Sequence, residues 1–448
     1  MTPPAAPLDL FAADEDANDT QEQKALPVEE PPRRMPSVPP RPSPRTPPIV
    51  APAQASGPRL SGPVSSPISS GPKGPLSAGP VSSGPVSNRP ASNVPAGSSG
   101  VLPGRLNAPA SGPISSGPAS IAPVTTVAKP SRNLSPRASA FAGAVIGAAI
   151  GDALGHPTES LESIAAIRKQ FGPNGVVGYA LYREKDGVRY APYTDDTQMA
   201  EIVLDSLIGA TDLDATMQDL AARFVEWKNA PQGGHRSPGK ACIAGCEALE
   251  RGIPWHSAGA PDAGGSGSVM RAYPFGLVFA HDPAKAELWA VEHSRLTHRA
   301  PMALAACAAM AVGVAHIARG ASLVRAFSEM VGAACRYDAK TAAMMATALD
   351  EARSNVEPTI TLERLRGHAA HEAIAAAIYI ATRHAKHIPG ALLEAVNTPG
   401  DSDTIATLVG ALLGARHGFS ALPTPWVDEL ERTDALFILA VRASQSES

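Results

Sequence analysis

The chain has 448 residues, a formal net charge of −4 and 18% charged residues. That balance gives no electrostatic case for nucleic-acid binding. Its four cysteines, Cys242, Cys246, Cys307 and Cys335, form no CxxC pair. The start shows no basic segment followed by an apolar one, so the thiols read as buried groups of a reduced cytoplasm and the expected location is cytoplasmic.

Composition changes along the chain. Thirty of the 45 prolines lie within the first 136 residues, a stretch nearly free of aromatics that repeats Ser-Gly-Pro phrases such as SGPVSS, SAGPVSSGPVS and SGPISSGP. Such a sequence buries too little apolar surface to offset the entropy of ordering it. Residues 1–136 are therefore expected to be a disordered tail, and residues 137–448 one large domain. Near the start, the acidic phrase LDLFAADEDANDTQE reads either as an interaction segment for an unknown partner or as an inert solvated end.

The domain opens on ASAFAGAVIGAAIG at 138–151, an apolar run that reaches Asp152 before the roughly 20 residues a membrane span needs. No membrane contact is expected. Gly143, Gly147, Gly151 and Gly155 form a smooth stripe that lets another helix approach. Beyond it, apolar residues recur at helical spacing in 199–209, 215–228, 240–251, 284–293, 301–318, 322–335, 340–352, 362–386 and 403–416. Alanine, the best helix former, is abundant throughout. Only 176–192 lacks the helical pattern, and it reads as a loop or small hairpin. The expected fold is all-α, a compact multi-helix globule.

Unusual residues collect between these helices. In Gly151-Asp152-Ala153-Leu154-Gly155-His156-Pro157-Thr158-Glu159 the glycine-striped helix ends and delivers Glu159 to a loop; a plain helix stop with an exposed glutamate is the simpler reading. Tyr193-Thr194-Asp195-Asp196-Thr197 sets two carboxylates among hydroxyls, hard oxygen donors that suit Mg²⁺ or Mn²⁺, although a single acid there would serve as a helix cap. Gly400-Asp401-Ser402-Asp403-Thr404 repeats the trio before a helix with glycines at 410, 414 and 418. If the two helices pack together, four carboxylates converge and repel unless divalent ions neutralise them; two distant caps are the alternative. Gly264-Gly265-Ser266-Gly267-Ser268-Val269-Met270-Arg271 lacks the Lys-Ser/Thr ending of a P-loop, yet its backbone N–H groups could face a pyrophosphate. His235-Arg236-Ser237-Pro238-Gly239-Lys240 is a basic turn suited to phosphate. His298 precedes an Ala-rich helix, where a lone histidine is more often a cap than a ligand.

Taken in order over residues 139–418, these segments resemble the ADP-ribosylglycohydrolase family. GDALGHPTE looks like its opening GDxxGxxxE, YTDDTQMA like its TDDT signature, HRSPGKACIAG like a bacterial HRxPG stretch, GSGSVMR like its GNGSxMR loop, and GDSDTIATLVGALLGA like its closing GxDxDT motif. The resemblance implies an all-α fold with two Mg²⁺ (or Mn²⁺) ions held by Thr194, Asp195, Asp196, Asp401, Asp403 and Thr404. It further implies that Glu159 is the catalytic glutamate near the metals. Gly265, Gly267, Ser268 and Met270 would line the ADP-ribose cleft, and His298 would contact a ribose. The implied activity is removal of ADP-ribose from a modified protein side chain, with an ADP-ribosylated protein or an ADP-ribose derivative as partner. A non-catalytic ADP-ribose reader, or a hydrolase of small derivatives such as O-acetyl-ADP-ribose, would use the same cleft. Two departures from the family pattern, Ser266 for Asn and Pro399 for Gly, bear on loop shape or substrate preference more than on metal binding.

Overall fold

The computed structural model describes residues 133–446, so the tail expected over 1–136 lies, as far as residue 132, outside the described residues. The described chain is mostly helical. It runs α1 Pro136–Gly155, α2 Ile164–Phe171, a hairpin of β1 Arg183–Lys185 and β2 Val188–Tyr190, α3 Asp195–Ser206, α4 Leu213–Asn229, α5 Lys240–Glu250 and α6 Trp255–Ala258. It continues with α7 Tyr273–Val278, α8 Pro283–Ser294, α9 Pro301–Ala318, α10 Leu323–Cys335, α11 Ala339–Ala352 and α12 Pro358–Arg364. The last five are α13 Ala370–Arg383, α14 Ile388–Val396, α15 Ser402–His417, α16 Thr424–Glu429 and α17 Thr433–Gln445. The all-α expectation holds, and the ambiguous 176–192 segment contains the one antiparallel hairpin among the described residues, Arg183 opposite Tyr190.

Many helices begin where the sequence supplies a side-chain oxygen. Ser135, Thr194, Asp212, Asp282, Ser322 and Asp338 each accept a backbone N–H of the helix they start, satisfying donors that would otherwise be orphaned. Helices with polar residues on one side, such as α4 and α10, bury one stripe, whereas α1, α9 and α15 are buried almost all round. Ile146, Ile150 and Leu154 on α1 are fully buried, each worth about 1.5–3 kcal/mol of transfer free energy. α1 and α9 have the length and hydropathy of membrane spans, and 94% and 78% of their apolar windows are buried inside the fold.

The glycine stripes do the central packing. α1 lies along α15, and a Cβ on Gly147 would stand 2.6 Å from the Gly410 carbonyl oxygen. A Cβ on Gly155 would stand 2.5 Å from Cα of Asp403. Both are closer than real Cβ contacts, so backbone meets backbone there only because glycine lacks the carbon.

One helical expectation fails. The run 362–386 is two helices, α12 and α13, parted at 365–369, where Gly367 has φ of +79°. The apolar period continues through the break, which hides it from pattern reading. Local geometry explains the break: the Arg366 carbonyl accepts the Asp401 N–H at 2.7 Å, and Ala369 bridges to Gly265.

Candidate active site

The first acidic trio is set by α1 from below. Thr194 caps α3, its Oγ1 accepting the Asp196 N–H at 3.3 Å. Asp152, fully buried near the end of α1, accepts the Thr194 N–H on Oδ1 at 2.8 Å. Its Oδ2 accepts the Thr197 N–H at 3.0 Å and the Thr197 hydroxyl at 2.6 Å. Because Thr194 supplies the cap and Asp152 the brace, Asp195 and Asp196 are not needed to start the helix.

The second trio meets the first. Thr404 Oγ1 donates to Asp196 Oδ2 at 2.9 Å, across 208 residues of sequence. Asp401 occupies the cap position of α15 without capping it; its Oδ2 instead accepts from the Ser266 hydroxyl. Asp403 Oδ1 accepts the Thr404 N–H at 2.9 Å. The glycines of α15 serve its contact with α1 rather than α3, so the trios meet at the helix starts and not along paired helix bodies. Thr194, Asp195, Asp196, Asp403 and Thr404 are all buried, and Asp401 partly so.

Glu159 leaves the short helical turn His156–Thr158 with its side chain 26% exposed and Oε2 at 3.5 Å from His156 Nδ1. Ligand atoms of His156, Glu159 and Asp403 lie within 4.8 Å of one another. A backbone ladder fixes this loop against the second trio: Ser160 N–H donates to the Gly400 carbonyl, and Gly400 N–H to that of Leu161, each at 2.9 Å.

The glycine loop is not slack. Ser266–Arg271 is a 3₁₀ helix whose side chains mostly face inward. Ser268 is fully buried, with its Oγ accepting from Ser294 at 2.9 Å, and Met270 is 2% exposed in the hydrophobic core. The side chains of these two therefore support the loop from within, so that a contact of theirs with a ligand would come through the backbone, as for Gly265 and Gly267. His298, also expected at the ligand, is 2% exposed and packs against those two glycines.

A family model described as ADP-ribosylglycohydrolase matches residues 133–447. The chain belongs to the ADP-ribosylglycohydrolase family. It is similar to the ADP-ribosylarginine hydrolase Tri1 of Serratia proteamaculans, 28% identical over 61% of this chain and 71% of that one. The ADP-ribosyl-[dinitrogen reductase] glycohydrolase of Rhodospirillum rubrum is 28% identical over 58% of this chain and 86% of that one. Human ADP-ribosylhydrolase ARH3 is 27% identical over 55% and 77%. By family and relatives the chain is an ADP-ribosylglycohydrolase-type enzyme.

The electrostatics of this glycohydrolase follow from crowding carboxylates in a buried site. Burial first, then Asp152, Glu159 and Asp401, hold the Asp195 carboxyl well above the usual carboxylate range. Burial and neighbouring acids do the same to Asp196 and Asp403. Asp401 and Asp152 are raised chiefly by burial. A set of crowded, largely buried carboxylates with threonine hydroxyls beside them, all oxygen donors, fits hard divalent cations.

Several expectations change. Arg236 in the basic turn is 5% exposed, paired with Glu431 at 2.5 and 2.9 Å, and donates to the Tyr193 carbonyl. It ties the segment before α3 to the C-terminal region and is not free for a phosphate. Cys335 is exposed, unlike the other three thiols. An open groove lined by Glu201, Asp205, Trp227 and Arg432 has none of the trio carboxylates in its walls; its Arg432 is paired with Glu201. Sequence reasoning assigned no role to Asp152, although three hydrogen bonds make it the brace of the first trio. The signal was a carboxylate inside an otherwise apolar, glycine-striped helix.

Proposed function

We propose that this chain is a metal-dependent hydrolase that removes ADP-ribose from a modified protein side chain by cleaving an N- or O-glycosidic bond. The observation that carries this reading is the meeting of the two Thr/Asp/Asp trios, joined by the Thr404–Asp196 hydrogen bond, beside the partly exposed Glu159. Thr194, Asp195, Asp196, Asp401, Asp403 and Thr404 would hold two divalent cations, Mg²⁺ or Mn²⁺. Bound there, the cations supply Lewis acidity and a template for ribose hydroxyls.

The chain's own groups do the rest. Asp152 keeps the first trio in register, and Ser266 holds Asp401 to the glycine loop. Glu159 takes a proton at its carboxylate, either from the attacking water or from a substrate hydroxyl. Bond breaking builds positive charge on the sugar, which the surrounding carboxylates stabilise. A relative named for ADP-ribosylarginine makes arginine the first linkage to test.

The test is release of ADP-ribose from arginine- and serine-linked ADP-ribosyl peptides with Mg²⁺, with Mn²⁺ and with EDTA. Cation-dependent release from one linkage is expected. Release that persists in EDTA would overturn the metal dependence. No release from either peptide, with ADP-ribose still bound, would point to a reader, and release only from O-acetyl-ADP-ribose to a small-molecule hydrolase.

A further inference from the structure

Arg271 is fully buried, and none of its hydrogen bonds among the described residues goes to a carboxylate. Its guanidinium donates to the Gly267 carbonyl at 2.7 Å, to Thr297 Oγ1 at 2.7 Å and to His293 Nε2 at 3.2 Å. Arginine can only donate, so each of these atoms is an acceptor. His293 Nε2 is therefore unprotonated, and its Nδ1 donates to the Ala290 carbonyl at 2.7 Å.

The same logic runs one step further at His298. Thr297 Oγ1 accepts from Arg271 and lies 2.8 Å from His298 Nδ1. Thr297 is 1% exposed, and His298 Nδ1 is the only acceptor recorded for its hydroxyl proton among the described residues. Leaving a buried hydroxyl proton without an acceptor is costly. The hydroxyl therefore donates to Nδ1, and the ring proton sits on Nε2. No protein group among the described residues accepts from Nε2. It faces the two glycines: a Cβ on Gly267 would stand 3.4 Å from it, and one on Gly265 3.7 Å. The residue between them, Ser266, reaches Asp401.

We propose that Thr297, oriented by Arg271, is a positioning residue that locks His298 as a neutral Nε2–H donor facing the Gly265–Gly267 loop. The acceptor it suits is a hydroxyl or other neutral oxygen of a sugar held at the carboxylate site. This rests on the ADP-ribose reading given above. Burial and the neighbouring Arg271 charge support the lock by pushing the His298 pKa down to about 3, so the ring stays neutral while its tautomer is fixed.

The experiment uses the full chain labelled with ¹⁵N-histidine and a two-bond ¹H–¹⁵N correlation spectrum, with His298→Gln identifying the signal. Wild type should show an unprotonated Nδ1 and a protonated Nε2. Thr297→Val should lose that preference and bind ADP-ribose about 5- to 10-fold more weakly, the worth of one neutral hydrogen bond, while Thr297→Ser restores both. A wild-type spectrum with the proton on Nδ1 overturns the lock, as does a Thr297→Val protein unchanged in tautomer and affinity. If Thr297→Val does not fold, the wild-type and Thr297→Ser spectra decide. A locked tautomer in a wild-type protein that binds no ADP-ribose would uphold the lock and overturn the ligand reading instead.

Discussion

Replacing Asp152 by asparagine tests whether the brace beneath the first trio matters. The native carboxylate receives three donors: Thr194 N–H at 2.8 Å on one oxygen, and Thr197 N–H and hydroxyl at 3.0 and 2.6 Å on the other. Asparagine has a single acceptor oxygen. Its best orientation keeps that oxygen on Thr197 and turns the amide nitrogen against the Thr194 N–H, donor against donor. Losing one hydrogen bond to a charged group costs about 1.5–3 kcal/mol. Removing a buried charge, whose pKa burial already raises, offsets part of this. The net stability loss should be about 1–2 kcal/mol, combining the lost bond with the relief of desolvation. The larger effect should fall on the cations, because Thr194 places Asp195 and Asp196. Mn²⁺ affinity should drop roughly tenfold for each 1.4 kcal/mol passed to the site. Denaturant unfolding in EDTA gives the first quantity and calorimetric Mn²⁺ titration the second. If Asp152→Asn binds Mn²⁺ as wild type does and is equally stable, the brace argument is wrong.

Three further outcomes follow from the same geometry. Glu159→Gln should keep the fold and the cation affinity but lose about 10²–10⁴-fold in hydrolysis rate, the usual worth of a placed general base; an unchanged rate removes Glu159 from the chemistry. Without cations, the raised pKa values of Asp195, Asp196 and Asp403 mean the folded chain holds more protons than the unfolded one above the ordinary carboxylate range near pH 4. The stability these carboxyls contribute in EDTA must then fall as pH rises through that window, while His293 and His298, whose pKa burial lowers, act in the opposite sense below about pH 6.5. Tm should therefore be lower near pH 8 than near pH 7, and Asp403→Asn should reduce that fall; a fall equally steep in Asp403→Asn would refute the crowding account. Gly155→Ala places a methyl 2.5 Å from Cα of Asp403, and should destabilise by about 1–3 kcal/mol as overpacking does while weakening Mn²⁺ binding; a neutral result would show that α1 and α15 can part there without cost.

Much of this was legible in the sequence because it is carried by local signals. The helical period of 301–318 matches α9 as observed, Pro301–Ala318, and the doubled Thr/Asp/Asp trio pointed to a shared site, with two distant caps as the alternative. What stayed hidden depends on contacts between distant segments. The split of 362–386 follows from the Arg366 carbonyl meeting Asp401, and nothing in the apolar spacing records that meeting. The inward turn of Ser268 and Met270 arises because their loop is wound as a 3₁₀ helix against Ser294 and the core, which a glycine-rich string does not reveal. Arg236 looked like a phosphate ligand because its partner, Glu431, lies 195 residues away.

The placement of both trios at helix starts raises the question of whether the helices alone could tolerate these acids. A helix N-terminus favours one negative charge by about 0.3–1 kcal/mol, and up to about 2 kcal/mol when partly buried. α3 and α15 each bring one such end. Against this stand five carboxylates from the trios and Glu159, with Asp152 as a sixth charge close beneath. Two unit charges at the 4.8 Å limit of the Glu159–Asp403 spacing repel by about 3.5 kcal/mol at an effective dielectric of about 20. One such pair already outweighs what a helix end offers. The hydrogen bonds from Thr404 and Ser266 reach Asp196, Asp403 and Asp401, one bond to each against several like charges. Protonation or bound cations must therefore supply the balance, and near neutral pH an all-oxygen donor set favours the cations.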